Sequence, residues 1–211
     1  MAKERLKSPR ARLFVALDLP ESVLEGLAAW QRAELIDEAL RPSRSETLHM
    51  TLAFLGYQPE RAIDQIAEAA MGFEAKAPLV RLLAEPVPVP GSRPRLYAID
   101  SESDETVALQ SEVERRLVDA RFYEPEKRSF WPHLTVARVR SERRSGDDRR
   151  RRRRRPPMRV ENPPGPLPES LLNPFRGVRI TLYRSHLRPT GAEYERVAQL
   201  ELPSSDGGKV T

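Results

Sequence analysis

The chain has three histidines among its 211 residues, and two of them sit in the same local setting. Leu48-His49-Met50-Thr51-Leu52 and Pro132-His133-Leu134-Thr135-Val136 both read His-x-Thr followed by an apolar residue. Threonine occurs only seven times in the chain. Chance is therefore a poor explanation for a Thr two places after two of three histidines, even allowing for the false-positive risk of short motifs. On a strand, residues i and i+2 project from the same face, so each His stands beside its Thr. Met50, Leu52, Leu134 and Val136 would then face a core. An imidazole has an ordinary pKa near about 6.5, so one ring can accept a proton while the other donates one. Threonine hydroxyls can donate hydrogen bonds to phosphate oxygens. Two such strands facing one another would supply acid–base chemistry for a phosphodiester without a metal. The third histidine, His186, has Arg188 two places on instead of Thr and reads as structural or exposed.

The flanking sequence must place those two segments on strands. Thr47 to Leu55 and His133 to Val139 are rich in apolar and β-favouring residues, as is Arg12 to Leu19. Further strands are expected over 79–89, 95–100, 178–187 and 194–202. Pro86, Pro88 and Pro90 should confine the end of the first of these to an edge or an irregular stretch. Helical spacing predicts helices over 21–40, closed by Pro42, over 59–73, and most clearly over 103–122. Runs of strand broken by single helices favour an α+β fold over a regularly alternating parallel sheet.

Charge is concentrated in one place. Between Ser141 and Val160 ten arginines, seven of them consecutive (Arg149 to Arg155), face three carboxylates, a net +7. The formal charge of the whole chain is +5, which leaves −2 for everything else. Basicity is thus a property of this segment and not of the body. Residues 141–169 hold many prolines and little to bury, and are expected to form a flexible insert. An electrostatic arm that gathers RNA and a lineage-specific insertion without a role are both open readings of it. The termini, 1–10 and 203–211, are expected to be disordered. The chain has no cysteine, which excludes disulfides and thiolate metal sites. It has no apolar run of membrane-spanning or signal-peptide length, so the expectation is a cytoplasmic protein. No Gly-rich phosphate loop is present, and two histidines without a carboxylate at ligand spacing make a poor metal site. No cofactor and no metal are expected. Oligomeric state is not readable from sequence, and a monomer is the working expectation.

RLFVALDLP, LHMTLAFLG, RPRLYAID, PHLTVARVR and LYRSHLRPTGAEYERVAQLEL, together with the paired His-x-Thr elements, resemble the RNA 2′,3′-cyclic phosphodiesterases of bacteria. These are LigT-like members of the two-histidine phosphoesterase superfamily, once called 2′-5′ RNA ligases. The resemblance covers nearly the whole chain apart from the arginine insert and the termini. It implies one bilobal domain over 11–202, with two pseudo-symmetric α+β lobes, antiparallel sheets around a central cleft and helices outside. It also implies hydrolysis of a terminal cyclic phosphate on RNA to a 2′-phosphomonoester. His49 would be the proton donor to the leaving ribose oxygen and His133 the base that activates water. Thr51 and Thr135 would hold the phosphate oxygens, and Arg138 matches a basic position that follows the second motif. On a regular strand Arg138, three residues after Thr135, would face away from it; only a bulge or the strand end would turn it inward. Phe54 reads as core, and Trp131 is open between core and base stacking.

Other functions share these residues. The same cleft could act on other cyclic phosphates or join RNA ends 2′-5′, which a substrate panel would separate. A non-catalytic RNA or nucleotide-binding module would have no need of two proton-exchanging imidazoles. A basic adaptor would depend on residues 141–169 alone.

Overall fold

The computed structural model describes residues 9–142, 155–188 and 191–203. The expectations for the termini, except residues 9, 10 and 203, and for the arginine tract up to Arg154 lie outside the described residues. Nine strands are described: β1 (Arg10–Asp18), β2 (Leu40–Pro42), β3 (Met50–Pro59), β4 (Leu79–Val89), β5 (Leu96–Glu102), β6 (His133–Val139), β7 (Phe175–Arg176), β8 (Arg179–Arg188) and β9 (Gly191–Glu201). They form one sheet in the order β7-β4-β5-β6-β3-β1-β8-β9, with β2 off this path and paired to residues 137–139 of β6. Every pairing is antiparallel. The fold is α+β, with a curled antiparallel sheet and three helices.

The sheet divides at β3 and β6, the strands that carry the two motifs. A single residue pair, Met50 with Leu134, joins them. One half is β3-β1-β8-β9 and the other is β2, β6, β5, β4 and β7. The helices α1 (Glu21–Glu34), α2 (Ile63–Met71) and α3 (Asp104–Asp119) contribute no side chain to the cleft between the halves. Helix α3 starts at Ser103, whose hydroxyl accepts the Thr106 amide at 2.9 Å, and buries Leu109, Val113 and Leu117 at i, i+4 spacing. None of the described helices is long and apolar enough to cross a membrane.

The first helix is shorter than its hydrophobic pattern suggests. It ends at Glu34, Ile36 is exposed, and Asp37 begins a turn by accepting the Ala39 amide at 2.8 Å. A carboxylate side chain competing for backbone donors in this way favours a turn over continued helix. The released segment then forms β2.

The insert also differs from expectation. Residues 155–169 are fastened to the body, and the polypeptide there does not hang free. The other oxygen of Asp37 accepts the Glu161 and Asn162 amides, both at 2.8 Å. These bonds hold its carboxyl below the usual range. Glu34 accepts the Gly165 amide, the Trp30 indole donates to the Pro166 carbonyl at 3.0 Å, and Leu167 is buried. The apolar and hydrogen-bonding content needed for order lies downstream of the arginines.

Candidate active site

His49 immediately precedes β3 and His133 begins β6. Both line one cleft of about 700 Å³, together with Thr51, Thr135 and Arg138. The pair Met50–Leu134 lies at the centre of the arrangement. Because the strands are antiparallel, register about that pair sets His49 against Thr135 and His133 against Thr51. The residues between them turn to the other side: Met50 and Leu134 are fully buried, as are Leu52 and Val136.

Each ring is oriented by the same local bond. His49 Nδ1 lies 2.8 Å from the Thr47 carbonyl, and His133 Nδ1 lies 2.7 Å from the Trp131 carbonyl. A carbonyl can only accept, so Nδ1 carries the proton in both and Nε2 is turned to the cleft. His49 Nε2 sits 3.1 Å from the Thr51 hydroxyl, which donates to it when the ring is neutral.

A β-bulge in each motif decides what else reaches the cleft. In β6 the register steps from Tyr97–Ala137 to Ala98–Thr135, leaving Val136 as the extra residue. In β3 it steps from Val15–Ala53 to Ala16–Thr51, leaving Leu52 as the extra residue. An extra residue shifts the alternation by one, so positions i and i+3 share a face. Thr135 and Arg138 therefore both face the cleft, and so do Thr51 and Phe54. Phe54 is 41 % exposed, which corrects its reading as a core residue. The carbonyls at the bulge in β6 find partners outside the ladder, and that of Val136 accepts the Ser43 amide at 2.9 Å. Gln31 Nε2 donates to the Val136 carbonyl at 2.8 Å and the Ser43 hydroxyl donates to the Thr135 carbonyl at 2.7 Å. These bonds remove the cost of leaving buried acceptors unpaired.

The surroundings of the two rings differ. Phe14 stacks on His49 with ring centroids 4.9 Å apart, Tyr194 meets it edge-on at 5.4 Å, and Tyr183 stacks behind Phe14 at 5.2 Å. Asp18 holds Tyr183 in place by accepting its hydroxyl at 2.9 Å, while also accepting Thr181 at 2.9 Å and pairing with Arg179. Burial pushes the Asp18 carboxyl and the Tyr183 phenol upward, against the opposing pull on Asp18 of its bonds to Tyr183 and Thr181. For His49, desolvation within this wall, with smaller repulsion from His133 and Arg138, lowers the pKa to about 4 against the pull of the Thr47 carbonyl. The residue as a whole is half-buried and lines the cleft. His133 instead lies flat on the Trp131 indole, with centroids 3.9 Å apart and planes 16° apart. The indole N–H donates to Asp100 at 2.7 Å. Trp131 does not line the cleft; one of its faces is occupied by the imidazole.

Arg12, Arg41, Arg44 and Arg188 complete the cationic lining, and among the described residues no Asp or Glu lines the cleft. The Arg12 guanidinium lies 4.5 Å over the Phe54 ring and donates to Ser185 at 2.8 Å. Phe14, Tyr183, Tyr194, Arg12 and Arg41 carry no motif of their own in the sequence. Strand pairing brings them to the site, and no local signal could have found them. His186 pairs with Glu195 at 2.9 Å and lines no part of the cleft. Among the described residues no three His, Asp or Glu side chains cluster as a metal site would require.

Comparison with known proteins agrees with this architecture. Residues 17–92, which include the first motif, match the family described as LigT like Phosphoesterase. An RNA 2′,3′-cyclic phosphodiesterase from Methanocaldococcus jannaschii is 26 % identical over 192 residues, covering 89 % of this chain and 99 % of the relative. A solved structure from Thermus thermophilus superposes with a TM-score of 0.70 at 24 % identity, over 92 % of this chain and 99 % of that one. Escherichia coli LigT, solved as a complex with 3′-AMP, superposes with a TM-score of 0.65 at 21 % identity and the same coverage. With its two His-x-Thr strands meeting in one cleft, the chain is similar over residues 17–92 to the LigT-like phosphoesterases, has their fold, and is a hydrolase.

Proposed function

We propose that the protein hydrolyses the terminal 2′,3′-cyclic phosphate of RNA to a 2′-phosphomonoester, by acid–base catalysis that needs no metal. The observation that carries this reading is the cleft itself: two imidazoles held by Nδ1 with Nε2 turned to the cleft, two threonine hydroxyls and arginines, with no carboxylate in the lining among the described residues. The curated relative's name supports the substrate. Water attacks phosphorus as its proton passes to His133 Nε2. The P–O3′ bond breaks, and His49 Nε2–H delivers a proton to the departing ribose oxygen. Thr51, Thr135 and Arg138 hold the non-bridging oxygens, whose negative charge grows in the transition state. The direction of proton traffic follows the family resemblance. It also sets a requirement: with a pKa of about 4, His49 is neutral in the free cleft at neutral pH. The anionic substrate must supply the field that protonates it.

The test is a short RNA ending in a 2′,3′-cyclic phosphate, incubated in EDTA with the wild type, His49→Ala and His133→Ala, with the product isomer identified. Ring opening to the 2′-phosphate by the wild type alone is expected. Turnover that survives either substitution, or that requires added metal, would overturn the mechanism.

A further inference from the structure

One end of the cleft holds more positive charge than a single cyclic phosphate requires. Arg41 on β2 is the direct cross-strand partner of Arg138 on β6, and both side chains line the cleft. Directly opposed like charges destabilise a sheet, and cross-strand Cβ atoms stand only about 5 Å apart. The β8–β9 hairpin reaches over the same end. Arg188 and Gly191 line it beside Arg41, and Arg44 donates to the Ala192 carbonyl at 3.1 Å. Arg44 pairs with Glu46 and Arg188 with Glu193, each at 3.3 Å and each through exposed side chains, contacts of small energetic value. Among the described residues Arg41 makes neither an ion pair nor a side-chain hydrogen bond. It is a half-buried guanidinium beside another guanidinium, in a wall whose described residues include no carboxylate.

We infer that Arg41, with Arg188 and Arg44, forms a second phosphate subsite, one strand beyond the reacting phosphate, for the phosphodiester on the 5′ side of the terminal nucleotide. The inference rests on the proposed activity and deepens it: the enzyme selects the end of a chain over a free cyclic mononucleotide. Arg138 neutralises the phosphate that reacts and Arg41 the one that follows. An anion at each resolves the like-charge pair. Arginine suits the second position because its planar fork can grip two phosphate oxygens at once.

The subsite is read by comparing three substrates: a nucleoside 2′,3′-cyclic phosphate, the same compound bearing a 5′-phosphate, and a dinucleotide ending in the cyclic phosphate. For the wild type, kcat/KM should rise roughly tenfold or more from the first to the other two. Arg41→Gln should erase that gain, so that the three substrates are turned over with similar kcat/KM, and Arg41→Lys should restore part of it. The 5′-phosphorylated compound separates phosphate recognition from stacking of a second base. No preference in the wild type, a gain confined to the dinucleotide, or a gain that survives Arg41→Gln would overturn the inference. Should no cyclic phosphate be hydrolysed, the proposed activity fails by itself. The subsite is then read by equilibrium binding of nucleoside 2′-phosphates with and without a 5′-phosphate, where Arg41→Gln must remove the difference.

Discussion

Leu48-His49-Met50-Thr51-Leu52-Ala53-Phe54 and Pro132-His133-Leu134-Thr135-Val136-Ala137-Arg138 follow one plan and end in opposite chemistry. In both, a carbonyl two residues upstream fixes Nδ1, the central apolar residue joins the halves, and a bulge after Thr turns the seventh residue into the cleft. That residue is an aromatic ring in the first half and a guanidinium in the second. The walls differ as well: His49 sits against Phe14, with Tyr194 at its edge, and His133 lies on an indole anchored by Asp100. A duplicated backbone thus holds two equivalent rings in non-equivalent environments.

The difference between the halves can be broken in graded steps. The largest effect is expected from the rings themselves. His49→Ala and His133→Ala should each lower kcat by about 10²–10⁴, and the double variant should be little worse than either single one. Additive losses in single-turnover assays would mean the rings act in separate steps. Next come the seventh residues. Arg138→Ala should lower kcat/KM by roughly ten- to a hundredfold through lost phosphate contacts, whereas Phe54→Ala should cost less than tenfold. Equal losses would show that the bulges present two equivalent contacts. Trp131 is a positioning residue for His133. Trp131→Ala should reduce kcat several-fold with KM unchanged, and Trp131→Phe should recover most of it by keeping a stacking face; a matching rise in KM would point to substrate contact instead.

The smallest effect is on stability. The folded pKa of His49, about 4, lies below the unfolded value near 6.5. The unfolded chain therefore binds more protons between those values. Stability is unaffected above that window and falls as pH drops through it. His49→Gln should flatten this acid loss by about 1–2 kcal/mol at pH 4, allowing for the residue being only half-buried. Urea titrations at pH 7 and pH 4 measure it, and identical slopes in the two proteins would remove the aromatic wall as the cause.

Much of this comparison was visible in the sequence and much was not. The paired His-x-Thr segments are local patterns whose two-residue period projects each pair to one face, so the catalytic candidates needed no tertiary information. Phe54 and Arg138 were different. Strict alternation sends them to the core side, and only the bulges at Leu52 and Val136 reverse that. A bulge depends on what satisfies its carbonyls, and Gln31 and Ser43 lie far from Val136 in sequence. The aromatic wall comes from β1 and the β8–β9 hairpin, which meets β1 only through sheet order. The over-long reading of α1 and the missed β2 share a cause in Asp37, whose carboxylate ends one element and anchors residues 161 and 162.

The single pair Met50–Leu134 has a mechanical consequence. When two rigid plates share one narrow joint, rotation about it displaces each point in proportion to its distance from the joint. His49 and His133 are each one residue from that pair, and Thr51 and Thr135 are each one residue beyond it. Arg138 and Phe54 lie four residues out, and Arg12 and Arg188 lie on the neighbouring strands β1 and β8. The fold therefore places His49 and His133 beside the seam between the halves and Arg138, Phe54, Arg12 and Arg188 farther from it. Any change in the angle between the halves would therefore move Arg138, Arg12 and Arg188 more than the two imidazoles.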